Sequence, residues 1–161
     1  MTVHPIPPVF DRNSKILILG SFPSVASREV GFFYGHKQNR FWRMLSEVLN
    51  TPVPMTVGEK RELLTSHGVA LWDVIASCEI VGSADSSIKE VTPNDLSRIL
   101  GVADVRAILT NGKTAHKYYD KYMKDMYGRE AICMPSTSPA NASCSLSALV
   151  SAWSVIKDFL L

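Results

Sequence analysis

Cysteine is scarce in this chain and poorly placed for structural use. Cys78, Cys133 and Cys144 lie far apart, are odd in number and form no CxxC pair. Zinc ribbons, thioredoxin-like redox motifs and four-cysteine iron–sulfur clusters therefore have no support, and the pattern suits a reducing interior. Long apolar runs are missing too, so no stretch approaches membrane-spanning length. Residues 1–14 contain Pro5, Pro7 and Pro8 but no apolar core, which argues against a signal peptide and for an extended arm. The expectation is a soluble, intracellular protein. Neither sign of charge dominates: Lys and Arg number 17 and Asp and Glu 15, a formal net charge of +2. That balance neither demands nor excludes nucleic acid, because a site-directed DNA enzyme needs only a local basic face.

Several catalytic signatures are absent as well. Asn111-Gly112-Lys113-Thr114 imitates the end of a phosphate-binding P-loop, but Ala107 stands where the first glycine belongs. Gly20-Ser21-Phe22-Pro23-Ser24 lacks the glycine pair of a GxSxG nucleophile elbow. No HxE motif is followed by PCxxC, which removes the zinc deaminases. His4, His36, His67 and His116 show no metal-ligand spacing, so no metal site is expected.

What remains is an ordinary globular composition, 46% hydrophobic and 20% charged over 161 residues, enough for one domain with a single core. Ile16 to Leu19 is a short branched apolar run, read as a buried strand that Gly20 breaks. An aromatic loop (Phe32, Phe33, Tyr34) leads to a helix from about Asn39 to Leu49, with Asn39 as its cap and Asn50-Thr51-Pro52 as its stop. A polar helix spans Gly58 to His67, and a second strand spans Gly68 to Ile75, ending near Asp73. After a Gly/Ser-rich loop at Gly82 to Ser87, Thr92-Pro93-Asn94-Asp95 reads as a capped helix start running to about Leu100. Val105 to Leu109 is a third strand, followed by a helix through about Tyr122. Ala131 to Met134 is a fourth strand, and Leu146 to Leu160 a closing helix with Leu149, Trp153, Ile156 and Phe159 inward. Strands alternating with helices predict a single α/β domain, a three-layer sandwich around a mostly parallel sheet of about four strands.

All four strands deliver polar residues at their carboxyl ends: Gly20-Ser21, Asp73, Thr110-Asn111 and Ser136-Thr137-Ser138. Any one of them is adequately explained as a turn or cap. In a parallel sheet, however, they share the edge where ligands bind, and three aromatics beside them suit a flat ligand.

At this point the residues resemble a known family. Gly20-Ser21-Phe22-Pro23-Ser24, then Gly31-Phe32-Phe33-Tyr34-Gly35-His36 and Asn39-Arg40-Phe41-Trp42, are similar to the first motif region of the uracil-DNA glycosylase superfamily, and within it to the hypoxanthine-DNA glycosylase family. Leu71-Trp72-Asp73-Val74 with Gly82-Ser83-Ala84-Asp85, and Pro135-Ser136-Thr137-Ser138-Pro139-Ala140-Asn141-Ala142, resemble the later motifs. NRFW alone is shared with mismatch-specific relatives; with GSFPS and PSTSPANA the resemblance is specific and spans most of the chain.

The resemblance implies an enzyme that flips a deaminated nucleotide out of DNA and hydrolyses its N-glycosidic bond without a cofactor. Relatives place Asp or Asn just before the first-motif proline to position water. Here that residue is Phe22, and the family pattern moves the role to Asn39, whose amide carbonyl is expected to orient the water. Its bland alternative is a helix cap. Tyr34 falls where an aromatic stacks on the base, and Gly20, Ser21, Phe22, Ser24 and His36 belong to the same motif region as substrate contacts. Asp73 stands where uracil-specific relatives use Asn. A carboxylate accepts the ring N–H of hypoxanthine, xanthine or uracil but repels the lone pair of adenine.

Met134 replaces a histidine, which shifts contact with the departing base towards Ser136, Ser138 or backbone amides. The loop around Ser138, Pro139, Ala140 and Asn141 resembles the segment that enters the minor groove, while Arg40 and Lys113 are expected at phosphates. No lysine falls inside a motif, which favours simple hydrolysis that leaves an intact abasic site. The expected partner is double-stranded DNA, with single strands also accessible, and the protein is expected to be monomeric. The rival readings are a mismatch-type uracil or thymine glycosylase and, from another class, a non-catalytic nucleic-acid-binding module, for which Phe22 is the best support.

Overall fold

A computed structural model describes residues 1–161. Its centre is a sheet of four parallel strands: β2 (Ile16–Gly20), β3 (Val69–Asp73), β6 (Ala107–Asn111) and β7 (Ile132–Met134), in the order β3-β2-β6-β7. Every residue of β2 and β3 is buried, as a strand covered on both faces requires. Ile16 pairs with Val69 on one side and with Ala107 on the other, and Leu19 with Trp72 and Thr110. The next strand in the chain lies on one side of β2 and the later strands on the other. The carboxyl end of β2 is therefore a topological switch point, with a crevice opening there.

The helices around this sheet follow from local signals. Ser24 caps α1 (Val25–Val30), its hydroxyl accepting from the Ser27 amide, where sequence reasoning saw only loop. The apolar helix α2 (Phe41–Val48) packs against α7 (Leu146–Trp153). A Thr56/Glu59 capping box starts α3 (Val57–Ser66), which lies on β3. The helix α5 (Lys113–Tyr122) covers β6 and β7, and the short α6 (Lys124–Tyr127) packs on it. The closing helix is broken: a 3-10 turn at Ser154–Ile156 separates α7 from α8 (Lys157–Leu160), while Leu149, Trp153 and Ile156 point inward as expected. No helix is long and apolar enough to cross a membrane.

A second sheet was not legible in the sequence. It is antiparallel, in the order β1 (Thr2–Val3), β4 (Ile75–Glu79), β5 (Lys89–Pro93). The expected single strand over Gly68 to Ile75 is divided at Val74. Beyond Asp73 the chain leaves the central sheet as Val74 and Ile75 donate to the Gly20 and Ser21 carbonyls. The expected helix start at Thr92-Pro93 is instead strand: Thr92 pairs with Ser77 and Pro93 with Ile75. The short helix α4 (Ser97–Leu100) begins later, where the Asp95 carboxylate accepts from the Ser97 amide. The N-terminal segment is pinned at β1 and by a bridge between Val9 and Leu71.

Candidate active site

A cavity of about 460 Å³ opens at the carboxyl ends of the parallel strands. Of the residues expected from sequence, Gly20, Ser21, Phe22, Ser24, Tyr34, His36, Asn39 and Asp73 line it from the first half of the chain. Ser136, Ser138, Pro139 and Ala140 line it from the second half. Lys113 stands on the same edge as the exposed first residue of α5, outside the cavity.

The floor of the cavity is built around Gly20. A methyl group at this position would collide with Asp73 Oδ1 and come within 3.1 Å of the Tyr34 hydroxyl. Glycine here is thus a matter of close approach, which lets two polar atoms flank one backbone position. The Tyr34 hydroxyl is buried and has no hydrogen-bond partner. Burial first, and the Asp73 charge second, push its pKa well above the tyrosine range; Asn111 slightly opposes the shift, though no hydrogen-bond geometry is completed between them. The phenol is therefore a donor at any working pH. Its ring stacks on Phe41, with centroids 4.2 Å apart and 21° between planes, so one aromatic face is already taken. Tyr34 reaches this place through a positive φ of 53°, a backbone conformation that a non-glycine residue adopts only at some cost.

Asp73 is nearly buried. Its Oδ2 meets His4 Nε2 at 2.7 Å, and its backbone carbonyl accepts from Asn94 Nδ2 at 2.9 Å. His4 is a residue that sequence reasoning missed, since nothing in spacing relates positions 69 apart. Phe22, at the water-positioning place of relatives, lies edge-on to this imidazole at 5.8 Å.

Arg40, not Asn39, is the N-cap of α2; Asn39 precedes it, and its Oδ1 accepts from the amide of Phe41, the first helical residue, at 3.0 Å. The same oxygen accepts from the Thr137 hydroxyl at 2.9 Å. Two protein donors thus occupy the carbonyl that was expected to orient water, and the NH₂ group is the part left without a protein partner. Thr137, fully buried, is held in turn by Asn111: Asn111 Nδ2 donates to its hydroxyl and its amide donates to Asn111 Oδ1, both at 3.0 Å. Asn111 and Thr137 were visible only as polar strand ends.

The loop after β7 is closed by its own bonds. Asn141 Nδ2 donates to the Ser136 carbonyl and Ser138 Oγ accepts from the Ala140 amide. Arg40, expected at a phosphate, turns inward instead: its guanidinium donates to the carbonyls of Ser138, Asn141 and Cys144. A guanidinium has five donors in a fixed fork, which suits it to tying three loop carbonyls together. The side chain of Asn141 is likewise spent within the loop, leaving Pro139 half-buried and Ala140 exposed. Met134, in place of the histidine of relatives, is buried and offers no donor. A second carboxylate, Asp85, belongs to an exposed residue on the rim; partial desolvation of the carboxyl raises its pKa while the Thr114 and Ser21 hydroxyls oppose the rise. No group of three or more His, Cys, Asp or Glu is arranged to hold a metal.

The family model described as "Uracil DNA glycosylase superfamily" matches residues 7–157. The chain belongs to that superfamily. A protein named hypoxanthine DNA glycosylase from Methanosarcina barkeri is 34% identical over 91% of this chain and 92% of its own length. Another of that name from Methanosarcina acetivorans is 36% identical over 84% of this chain and 85% of its own. The solution NMR structure of a candidate uracil DNA glycosylase from Methanosarcina acetivorans superposes with a TM-score of 0.78, at 32% identity, covering 94% of this chain and 96% of that one. As in this superfamily generally, the substrate is DNA, and the three-layer α/β architecture inferred from the alternation of strands and helices is the one observed.

Proposed function

We propose that this glycosylase removes deaminated bases, hypoxanthine foremost and xanthine and uracil also, by simple hydrolysis in base excision repair. The observation that carries the reading is the pair of groups at Gly20: an unpartnered phenol donor on Tyr34 and a carboxylate acceptor on Asp73. Adjacent donor and acceptor match a lactam edge, where a ring carbonyl stands beside a ring N–H. Hypoxanthine, xanthine and uracil all present that edge; adenine presents a lone pair instead and leaves the Asp73 oxygen unpaired, which a buried polar site penalises strongly. The names of the two Methanosarcina relatives support hypoxanthine as the first choice.

The target nucleotide is extruded from the helix into the cavity. The bond between the anomeric carbon and the base nitrogen breaks, its electron pair leaves with the base, and the sugar becomes cationic. The Tyr34 O–H bonded to the base carbonyl draws off part of the leaving charge, a task for which buried Met134 has no donor. Asn39 holds the attacking water through its free amide N–H, while the other lone pair of the water faces the sugar carbon. The water oxygen bonds that carbon and its proton passes to solvent or the departing base, leaving an abasic site. Pro139 and Ala140 fill the gap in the stack, Ser138 shapes the same loop, and Lys113 meets a phosphate. Duplex DNA is the proposed partner, a single strand also serves because an unstacked base costs less to extrude, and the working unit is a monomer in the reducing interior of the cell.

Base release from duplexes carrying deoxyinosine, deoxyuridine, deoxyxanthosine, or thymine opposite guanine, with abasic sites revealed by alkali, tests this reading. Fastest release from deoxyinosine is expected. Release of uracil alone overturns the purine assignment, and release from none of them overturns the catalytic one.

A further inference from the structure

His4 belongs to no motif, lies on the N-terminal arm, and has a side chain only 3% exposed against the 5% of its partner Asp73. The arm delivers it deliberately: the His4 amide donates to the Ala76 carbonyl at 2.7 Å, and Val9 and Leu71 exchange both backbone bonds farther along. The Ile6 amide donates to His4 Nδ1 at 3.1 Å. A nitrogen that accepts a backbone N–H carries no proton of its own, so the ring is held as the tautomer whose Nε2–H points at Asp73 Oδ2. Phe22 stands edge-on at 5.8 Å and Phe33 lies tilted at 6.1 Å, so the ring has little room to turn.

We propose that His4 is a specificity-determining positioning residue for base recognition. The inference rests on the lactam reading of the cavity given above. By donating to Oδ2, the imidazole removes that oxygen from competition and fixes the carboxylate plane. Oδ1, packed against Gly20, is then the oxygen presented to the base. The result is a rigid, acceptor-only contact that a base with a ring N–H satisfies. Phe22 gains a role at the same time: it walls the imidazole with an apolar ring. The arm thus belongs to the recognition machinery.

The test is a double-mutant cycle read as kcat and KM for hypoxanthine release from a deoxyinosine duplex, with thermal unfolding followed alongside. His4→Phe fills the space without a donor, and kcat/KM is expected to fall roughly 10- to 100-fold, the range for losing one hydrogen bond to a charged group. His4→Asn, whose amide stops short of Asp73, is expected to lose as much, which keeps the test usable if the Phe variant folds poorly. His4→Gln, whose amide N–H reaches about as far as Nε2, is expected to restore activity to within about 5-fold of wild type. In an Asp73→Asn background, His4→Phe is expected to add no more than about 2-fold, because residues acting through one another are not additive. A full additive loss in that background, wild-type kinetics in both donor-less variants, or a Gln variant as impaired as Phe overturns the proposal. Wild-type protein that releases no lactam base would instead sink the functional reading itself, so the two failures are distinguishable.

Discussion

The hydroxyl of Thr137 donates to the amide oxygen of Asn39 across 2.9 Å, joining residues 98 apart in the chain. It saturates the oxygen that Asn39 also offers to the Phe41 amide, and so decides that the free end of this amide is its NH₂. Thr137→Val keeps the shape and removes the donor. The expected outcome is a fall in kcat of about 10- to 100-fold with KM little changed, because under the proposed function the interaction orients the water-holding amide instead of binding substrate. Thr137→Ser is expected to retain most activity. Single-turnover base release compared with duplex binding checks both.

Gly20→Ala places a methyl group into Asp73 Oδ1 and against the Tyr34 hydroxyl. Both groups must move, and displacement by a fraction of an ångström at a recognition site is costly. Base release is expected to drop by about 100-fold or more, with the far-UV circular dichroism spectrum unchanged. Retained activity would mean that neither group needs its observed position.

Tyr34→Phe separates recognition from stability. The hydroxyl is buried and unpaired in the free protein, so its removal relieves a desolvation penalty. Stability is expected to stay level or rise by up to about 1 kcal/mol. Release of hypoxanthine is nevertheless expected to slow by about 10-fold or more, since the proposed donor to the base carbonyl is gone. Denaturant unfolding and steady-state kinetics on the same preparation give the comparison.

Asp85 supplies a pH signature. Asp85 is an exposed residue, but partial desolvation of its carboxyl at the cavity rim makes the native state hold the proton more tightly than the unfolded chain. Its contribution is therefore intact below the ordinary aspartate range and is lost as pH rises through the raised native value. Asp85→Asn is expected to melt higher than wild type at neutral pH, and the difference is expected to shrink towards zero on acidification. Melting temperatures across that interval test the direction; a difference that grows on acidification contradicts the assignment.

Arg40 and Lys113 make opposite predictions in salt. The Arg40 charge is spent on loop carbonyls, so Arg40→Ala is expected to lower stability and base release without altering the salt slope of DNA affinity. Lys113 is exposed on the same edge, and Lys113→Ala is expected to reduce that slope by about 1. Binding titrations at several salt concentrations distinguish the two.

Much of this arrangement was readable in advance, and for physical reasons. Ile16 to Leu19 is apolar at every position because the central strand is covered on both faces, and such a run reads plainly. Strand-end polarity at Gly20, Asp73, Asn111 and Ser136 located the cavity, because a parallel sheet gathers its carboxyl ends on one edge. The antiparallel sheet was not readable. Lys89 to Pro93 holds charged, branched and proline residues in a mostly exposed edge strand, and it owes its conformation to pairing with Ile75–Glu79, not to any period of its own.

The chain alone therefore determined the layer architecture, the family and the roster of groups at the cavity, since each is written in local pattern. Which atoms those groups present was decided by contacts between distant segments. Arg40 points inward because loop carbonyls 98 to 104 residues away meet its fork. Asn39 has its NH₂ free because Thr137 claims its oxygen, and Asp73 has only Oδ1 left unpaired because His4 holds Oδ2. Hydrogen bonds depend on where the folded backbone brings donor and acceptor, and sequence separation carries no record of that.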